Sequence, residues 1–314
     1  MPSTSRLARV SAMAGAVVWA FTLFYRTGDS AETDLIQKVF LLAVLVVVPL
    51  GISLVETNEE WMTLRIATVL QPLAALLCLI SFALPQGITA SSLASTWLVT
   101  VSFIALAGLL RIVFSKQKLS LELAVSAGMM YLPVGGAWFV ASRLGFQPLG
   151  FGDTIVLLTA VHFHFAGFAA PLLVGLAARQ LPGSRLPAIA ALAIVFGTPL
   201  VAAGITLSPK LALAGTLLVA FGLVLLGCVV VFRVVPKLRV RVAQVLLVIA
   251  SLSSLVAMVL AVLYAYSIVT RTVILDIPQM AMSHGLLNSF GFSLCGLLAW
   301  AIEMSSASPT SEAK

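Results

Sequence analysis

The chain has 314 residues, 61% of them hydrophobic and 9% charged, with a formal net charge of +7 and a mean hydropathy of +1.13. Soluble domains carry about a quarter charged residues, and a soluble chain this apolar has too little polar surface to cover itself, so the composition excludes a water-soluble globular protein. The bases are spread among connecting segments, which excludes the clustered patch that a nucleic-acid groove needs and fits the basic cytoplasmic loops of a membrane protein.

The expected fold is all-α, a polytopic transmembrane helical bundle. A span takes about 20 mostly apolar residues. Ten such runs lie near 7–25, 35–54, 63–83, 94–114, 121–141, 153–178, 187–207, 211–232, 243–268 and 279–302. The first follows Arg6 and Arg9, as a signal sequence would, but no small-x-small cleavage site stands after it, and it is read as the first span. Between the seventh and eighth runs only "TLSPK" intervenes, where Pro209 and Lys210 favour a tight turn. Residues 1–304 then form one transmembrane domain, and the polar stretch 305–314 reads as a short disordered tail.

Charge tests the count. With ten spans, Arg6, Arg9, Arg65, Arg111, Lys116, Lys118, Arg179, Arg185, Arg233, Lys237, Arg239, Arg241 and Lys314 fall on one side, 13 of the 18 bases. Arg26, Lys38, Arg143, Lys210 and Arg271 fall on the other. The positive-inside rule places both termini in the cytoplasm. No clean internal repeat is evident by eye, and an inverted repeat stays open.

Pro49, Pro72, Pro133, Pro171 and Pro199 lie within or near spans, and "PVGGAW" at 133–138 is the expected kink or break. Interrupted helices point weakly towards transport, ordinary kinking being the plainer account. Cys78, Cys228 and Cys295 sit in apolar runs without a CxxC pair and read as buried free thiols.

The chain's three histidines carry the functional question. His162 and His164 stand in "TAVHFHFAGFAAPL" of the sixth span, and His284 with Asn288 in "MSHGLLNSFGF" of the tenth. Both spans run from outside to inside, so the histidines share a depth band. Residues two apart on a helix point about 200° from each other, so His162 and His164 serve two faces and cannot chelate one metal from a regular helix. His284, Asn288, Gly291 and Cys295 form one stripe, in which Asn288 either supports His284, meets a ligand or joins helices.

Four readings remain open. One span-six histidine and His284 are axial ligands of a haem packed by Phe163, Phe165 and Phe168. Alternatively, a transition metal takes ligands among His162, His164 and His284, with oxygens from Asp153, Asp276, Glu56 or Glu122. In the third, the imidazoles bind a small polar ligand or relay protons; in the fourth, each makes one interhelical hydrogen bond. No HExxH or other hydrolase spacing is present. Among other polar positions, Glu59, Glu60, Trp61 and Arg65 flank the third span. Arg271, Asp276 and Gln279 precede the tenth, and Tyr131, Tyr264 and Tyr266 offer hydroxyls. Gln71 lies deep in the third span, where a buried amide needs a partner.

On His162, His164, Gly167, Phe168 and Pro171 together with His284, Gly285, Asn288, Gly291 and Phe292, the chain resembles the YndJ-like family of multi-pass bacterial membrane proteins. That resemblance implies a membrane domain and assigns no catalytic residue. Locally, "AVHFHF" is similar to the HxH helix of haem-copper oxidases, whose two histidines bind different haems. The other ligands of those enzymes are missing, which rules out a terminal oxidase. The preferred reading is an integral membrane protein of the lipid bilayer whose His162, His164, His284 and Asn288 bind a small-molecule ligand or cofactor. A transporter is the alternative, and a structural or regulatory membrane protein the third.

Overall fold

The structure is a computed structural model and describes residues 3–55, 62–114 and 119–307, with the backbone alone for residues 119–122 and 307. Among the described residues there is no strand. Ten long helices form one bundle: α1 (Thr4–Thr22), α2 (Ala31–Ser53), α3 (Met62–Phe82), α4 (Ile88–Phe114), α5 (Leu119–Leu144), α6 (Asp153–Arg179), α7 (Leu186–Leu207), α8 (Pro209–Lys237), α9 (Arg241–Thr270) and α10 (Ile277–Ser306). By length and apolar content, nine of them, α2 to α10, suffice to cross a membrane among the described residues; α1 falls short of that measure. The protein is an all-α polytopic membrane bundle of nine to ten long helices. The last helix continues through 305–307, three residues into the expected tail. Glu56, Glu59, Glu60, Trp61, Lys116, Lys118 and Lys314 lie outside the described residues, as does the side chain of Glu122.

Local chemistry sets the helix ends. Ser30 accepts from the Thr33 amide at the start of α2. Asp276 and Gln279 cap each other reciprocally at the start of α10. Between α7 and α8 stands Ser208 alone, with Pro209 in the first turn of α8. The tight turn expected there brings the helices together at Gly204, where an added Cβ would lie 2.1 Å from the Ala212 nitrogen.

α2 and α6 are the central helices: 89% and 72% of their most apolar stretches are buried, against 33–56% for α3–α5 and α7–α10. Both widen into π-helix, at Ala43–Val47 and Phe163–Ala169, and α8 does so at Val230–Val234. In each case the widened segment ends two residues before a proline, Pro49, Pro171 or Pro236. A proline inside a helix lacks an N–H and crowds the carbonyl four residues back, and a widened turn ahead of it relieves that clash. α10 carries two π segments, Ala281–Gly285 and Leu287–Leu294. The π segments of α2, α6 and α10 touch one another near the bundle centre.

The break expected at 133–138 does not occur, since α5 is continuous through Pro133. The glycines serve close packing instead. A Cβ on Gly135 would lie 2.7 Å from the His164 ring, and one on Gly136 would lie 3.2 Å from the Leu98 Cα. Cys78 is buried as expected; Cys228 is exposed and Cys295 half-buried, because α8 and α10 turn those positions away from the core.

Gln71 finds its partners. Its amide donates to the carbonyl of Val44 at 2.7 Å, within the π segment of α2, and its oxygen accepts from Ser11 of α1. One side chain thus ties three helices together. Gln71→Leu leaves a buried carbonyl unpaired and is expected to cost about 1–2 kcal/mol, measured as the unfolding midpoint in detergent; an unchanged midpoint refutes the link.

The helices also recur. α2 and α4 begin at Ala31 and Ile88, and α6 and α8 at Asp153 and Pro209, offsets of 122 and 121 residues; α2, α3 and α5 end at Ser53, Phe82 and Leu144, and α6, α7 and α9 at Arg179, Leu207 and Thr270, offsets of 126, 125 and 126. Pro49 and Pro171 share the 122-residue offset. Cross-links recur with the helices: Ser11 of α1 meets Gln71 of α3, and the Tyr131 hydroxyl of α5 donates to the Val195 carbonyl of α7 at 2.7 Å. Four helices separate the matching ends, so the spacing recurs with the chain running the same way. α10 follows in the place of α2 and α6.

Candidate functional site

The histidines stand on α6 and α10, the helices related by this recurrence, and His162 and His284 are themselves 122 residues apart. His162 is the residue before the π segment of α6, and His164 is inside it. His284 is inside the first π segment of α10, and Asn288 inside the second. Such single-turn widenings shift side-chain direction locally and are frequent at functional sites.

His164 points into the core and is fully buried. One ring nitrogen, Nδ1, lies 2.7 Å from the Ala160 carbonyl, and the other, Nε2, lies 2.9 Å from the indole nitrogen of Trp97 on α4. A carbonyl only accepts and an indole N–H only donates, so these partners fix a neutral ring with its proton on Nδ1. Phe40 meets the ring edge-on at 5.1 Å, and Trp97 stacks on it at 5.8 Å. Phe40 also stacks on Phe139 at 4.2 Å. His164 is thus a core hydrogen-bonding residue joining α4 to α6 under a ring cluster from α2 and α5.

His162 points the other way, as helix geometry required, and is exposed at the bundle surface. Its Nδ1 donates to the Leu158 carbonyl one turn back at 2.7 Å. Its Nε2 has no hydrogen-bond partner among the described residues. The ring faces that of His284 at 6.2 Å between centroids, with 21° between planes. His284 is itself saturated: Nδ1 donates to the Ala257 carbonyl of α9 at 2.8 Å, and Nε2 lies 2.9 Å from the Asn288 amide nitrogen. Asn288 supports His284, one of the roles its i, i+4 spacing allowed.

The expectation of a transition metal with ligands among His162, His164 and His284 is corrected. Among the described residues no group of three or more His, Cys, Asp and Glu side chains is placed to hold a metal ion. Of the candidate oxygen ligands, Asp153 accepts from Gln147 at 3.0 Å and Asp276 caps α10, while Glu56 and the side chain of Glu122 lie outside the described residues. A haem fits these residues no better. Axial imidazoles aim their nitrogens at an iron from opposite faces of the macrocycle. Here both ring nitrogens of His164 and of His284 are already taken, which leaves only Nε2 of His162 without a partner among the described residues. The local similarity to the oxidase HxH helix therefore ends at the opposed directions of His162 and His164.

Arg271 caps the end of α9 in a left-handed conformation (φ 58°), and Asp276 with Gln279 forms a cap, so these residues shape helix ends. Trp97, Phe40 and Ala257 complete the histidine surroundings and were not singled out from the sequence. Trp97 carried a signal, since an indole within a span needs an acceptor for its N–H. The backbone carbonyl of Ala257 carries none.

Comparison with known proteins agrees with the architecture. The profile of the family described as "YndJ-like protein" matches residues 38–292. The "Uncharacterized membrane protein YndJ" of Bacillus subtilis (strain 168) is 32% identical over 208 residues, covering 66% of this chain and 37% of that protein. The chain therefore matches little more than a third of the relative's length. No solved structure matches. A family match that spans both histidine helices and most of the bundle between them settles the affiliation: the chain is a multi-pass membrane protein that belongs to the YndJ-like family.

Proposed function

We propose that the protein sits in the bacterial cytoplasmic membrane with both termini in the cytoplasm and binds one small polar molecule at His162. The free Nε2 of His162 carries this reading. With Nδ1 donating to Leu158, the neutral ring presents a lone pair at the bundle surface. That lone pair accepts from a hydroxyl or ammonium group, or takes up a proton. His284 and Asn288 are positioning residues: their own bonds hold the facing ring in place. An imidazole with an unused nitrogen at membrane depth is costly unless it faces water or a partner, which favours a ligand over plain helix bonding at this one histidine. The orientation rests on the distribution of bases, 13 on the side of the termini against five, and puts the site in the outer half of the membrane. The crevices between α1–α4 and between α6, α8, α9 and α10 include no histidine, so transport through the bundle centre gains no support from this conformation.

Diethyl pyrocarbonate, which acylates unprotonated imidazole nitrogens with a free lone pair, tests the reading on the purified full chain. Mass spectrometry is expected to find His162 modified first and His164 and His284 protected. Equal protection of all three would mean that His162 is bonded like the others, and the site reading fails.

A further inference from the structure

We propose that the α6–α7 and α8–α9 loops together form a docking surface for anionic phospholipid headgroups. Arg185 lies in the first loop, Arg233 and Lys237 at the end of α8, Arg239 in the second loop and Arg241 at the start of α9, and all five are exposed. Lys237 joins the loops by donating to the Gln180 carbonyl at 3.4 Å.

Among the described residues none of these five bases is in an ion pair, and no Asp or Glu occurs between Asp153 and Asp276. The acid that reaches the patch, Glu303 of α10, is spent on backbone. Its two oxygens accept from the amides of Arg239 and Val240 at 2.8 and 3.1 Å, where they cap α9. Gln244 donates to the Leu238 carbonyl at 2.9 Å and holds the same turn from inside. The turn is thus rigid, and its guanidinium groups are left facing outward.

Position selects the partner. The patch stands at the ends of apolar spans, flanked by Phe232 and Val242, which are 75% and 57% exposed. Phosphates at that level belong to lipids, whose acyl chains run along those two side chains. Bases at a membrane surface attract acidic lipids at about 1 kcal/mol each; a soluble anion gains nothing from the apolar flank.

Native mass spectrometry of the full chain released from mild detergent, loaded with phosphatidylglycerol or phosphatidylcholine of equal chain length, tests this. Wild type is expected to retain phosphatidylglycerol preferentially, and R233Q/R239Q/R241Q to lose that preference, by about fivefold per guanidinium removed. R26Q/K210Q/R271Q, at the opposite end, should behave as wild type. Should the first triple variant fail to fold, a salt titration of wild type decides, since retention of phosphatidylglycerol alone must fall with ionic strength. Equal retention of both lipids, an unaffected R233Q/R239Q/R241Q, or displacement by equimolar inorganic phosphate overturns the proposal, the last in favour of a soluble anion.

Discussion

Trp97→Ala is expected to lower the stability of the bundle by about 3–5 kcal/mol, as other aromatic truncations in packed cores do. Trp97 has no exposed surface and is among the largest fully buried side chains of the protein. Its removal opens a cavity against the ring cluster of Phe40, Phe139 and His164 and strips His164 Nε2 of its donor. The packing part survives in a lipid solvent, because lost contacts are lost wherever the unfolded helices reside. Trp97→Phe separates the two parts: it keeps much of the volume and leaves the nitrogen unpaired, at about 1–3 kcal/mol. Adding His164→Leu to Trp97→Phe removes both ends of the hydrogen bond and should cost less than the sum of the single changes. Thermal unfolding followed by gel-filtration recovery in detergent reads all three. Strict additivity would show that the Trp97–His164 bond carries no coupling.

Gly15→Leu is expected to detach α1 from the bundle. Ala8, Ala12 and Gly15 are buried on one face of α1, and a Cβ at Gly15 would lie 1.9 Å from the carbonyl oxygen of Leu45. That neighbour is backbone inside the central helix, so α1 must move and no side chain can give way instead. Overpacking of this kind costs about 1–3 kcal/mol for a tolerated misfit and more where backbone is struck. The Ser11–Gln71 link lies one turn away and is lost with the displacement. Limited proteolysis should then cut between α1 and α2, while Val17→Leu, on the exposed face at 59%, should leave the pattern unchanged. A resistant Gly15→Leu would mean that α1 does not pack on α2 in the membrane.

Much of this architecture was legible beforehand because lipid imposes a one-dimensional rule. Every span must be long, apolar and internally hydrogen-bonded, so the ten expected runs reappear as helices α1–α10 with ends moved by a few residues, although α1 is not apolar enough to count as a span. The tight turn at Ser208 followed from proline, and the need of Gln71 for a partner followed from the cost of an unpaired amide. The opposite directions of His162 and His164 followed from helix period alone, and they persist where the helix widens.

The partners themselves were not legible. Ala257 and Ala160 act through backbone carbonyls, which every residue owns and no side chain advertises. The stretch "PVGGAW" read as a kink or break, and its Gly135 proved to be the clearance for the His164 ring, a role that depends on which helix lies opposite. The recurring helix spacing was not legible either, because lipid-facing positions accept any apolar side chain and leave no residue pattern to read. The sequence by itself determined that the chain is a helical membrane bundle and which polar side chains share a depth. Only the tertiary structure decided that His164 and His284 are saturated while His162 keeps a free nitrogen, because hydrogen-bond satisfaction depends on neighbours brought together from α4, α6, α9 and α10.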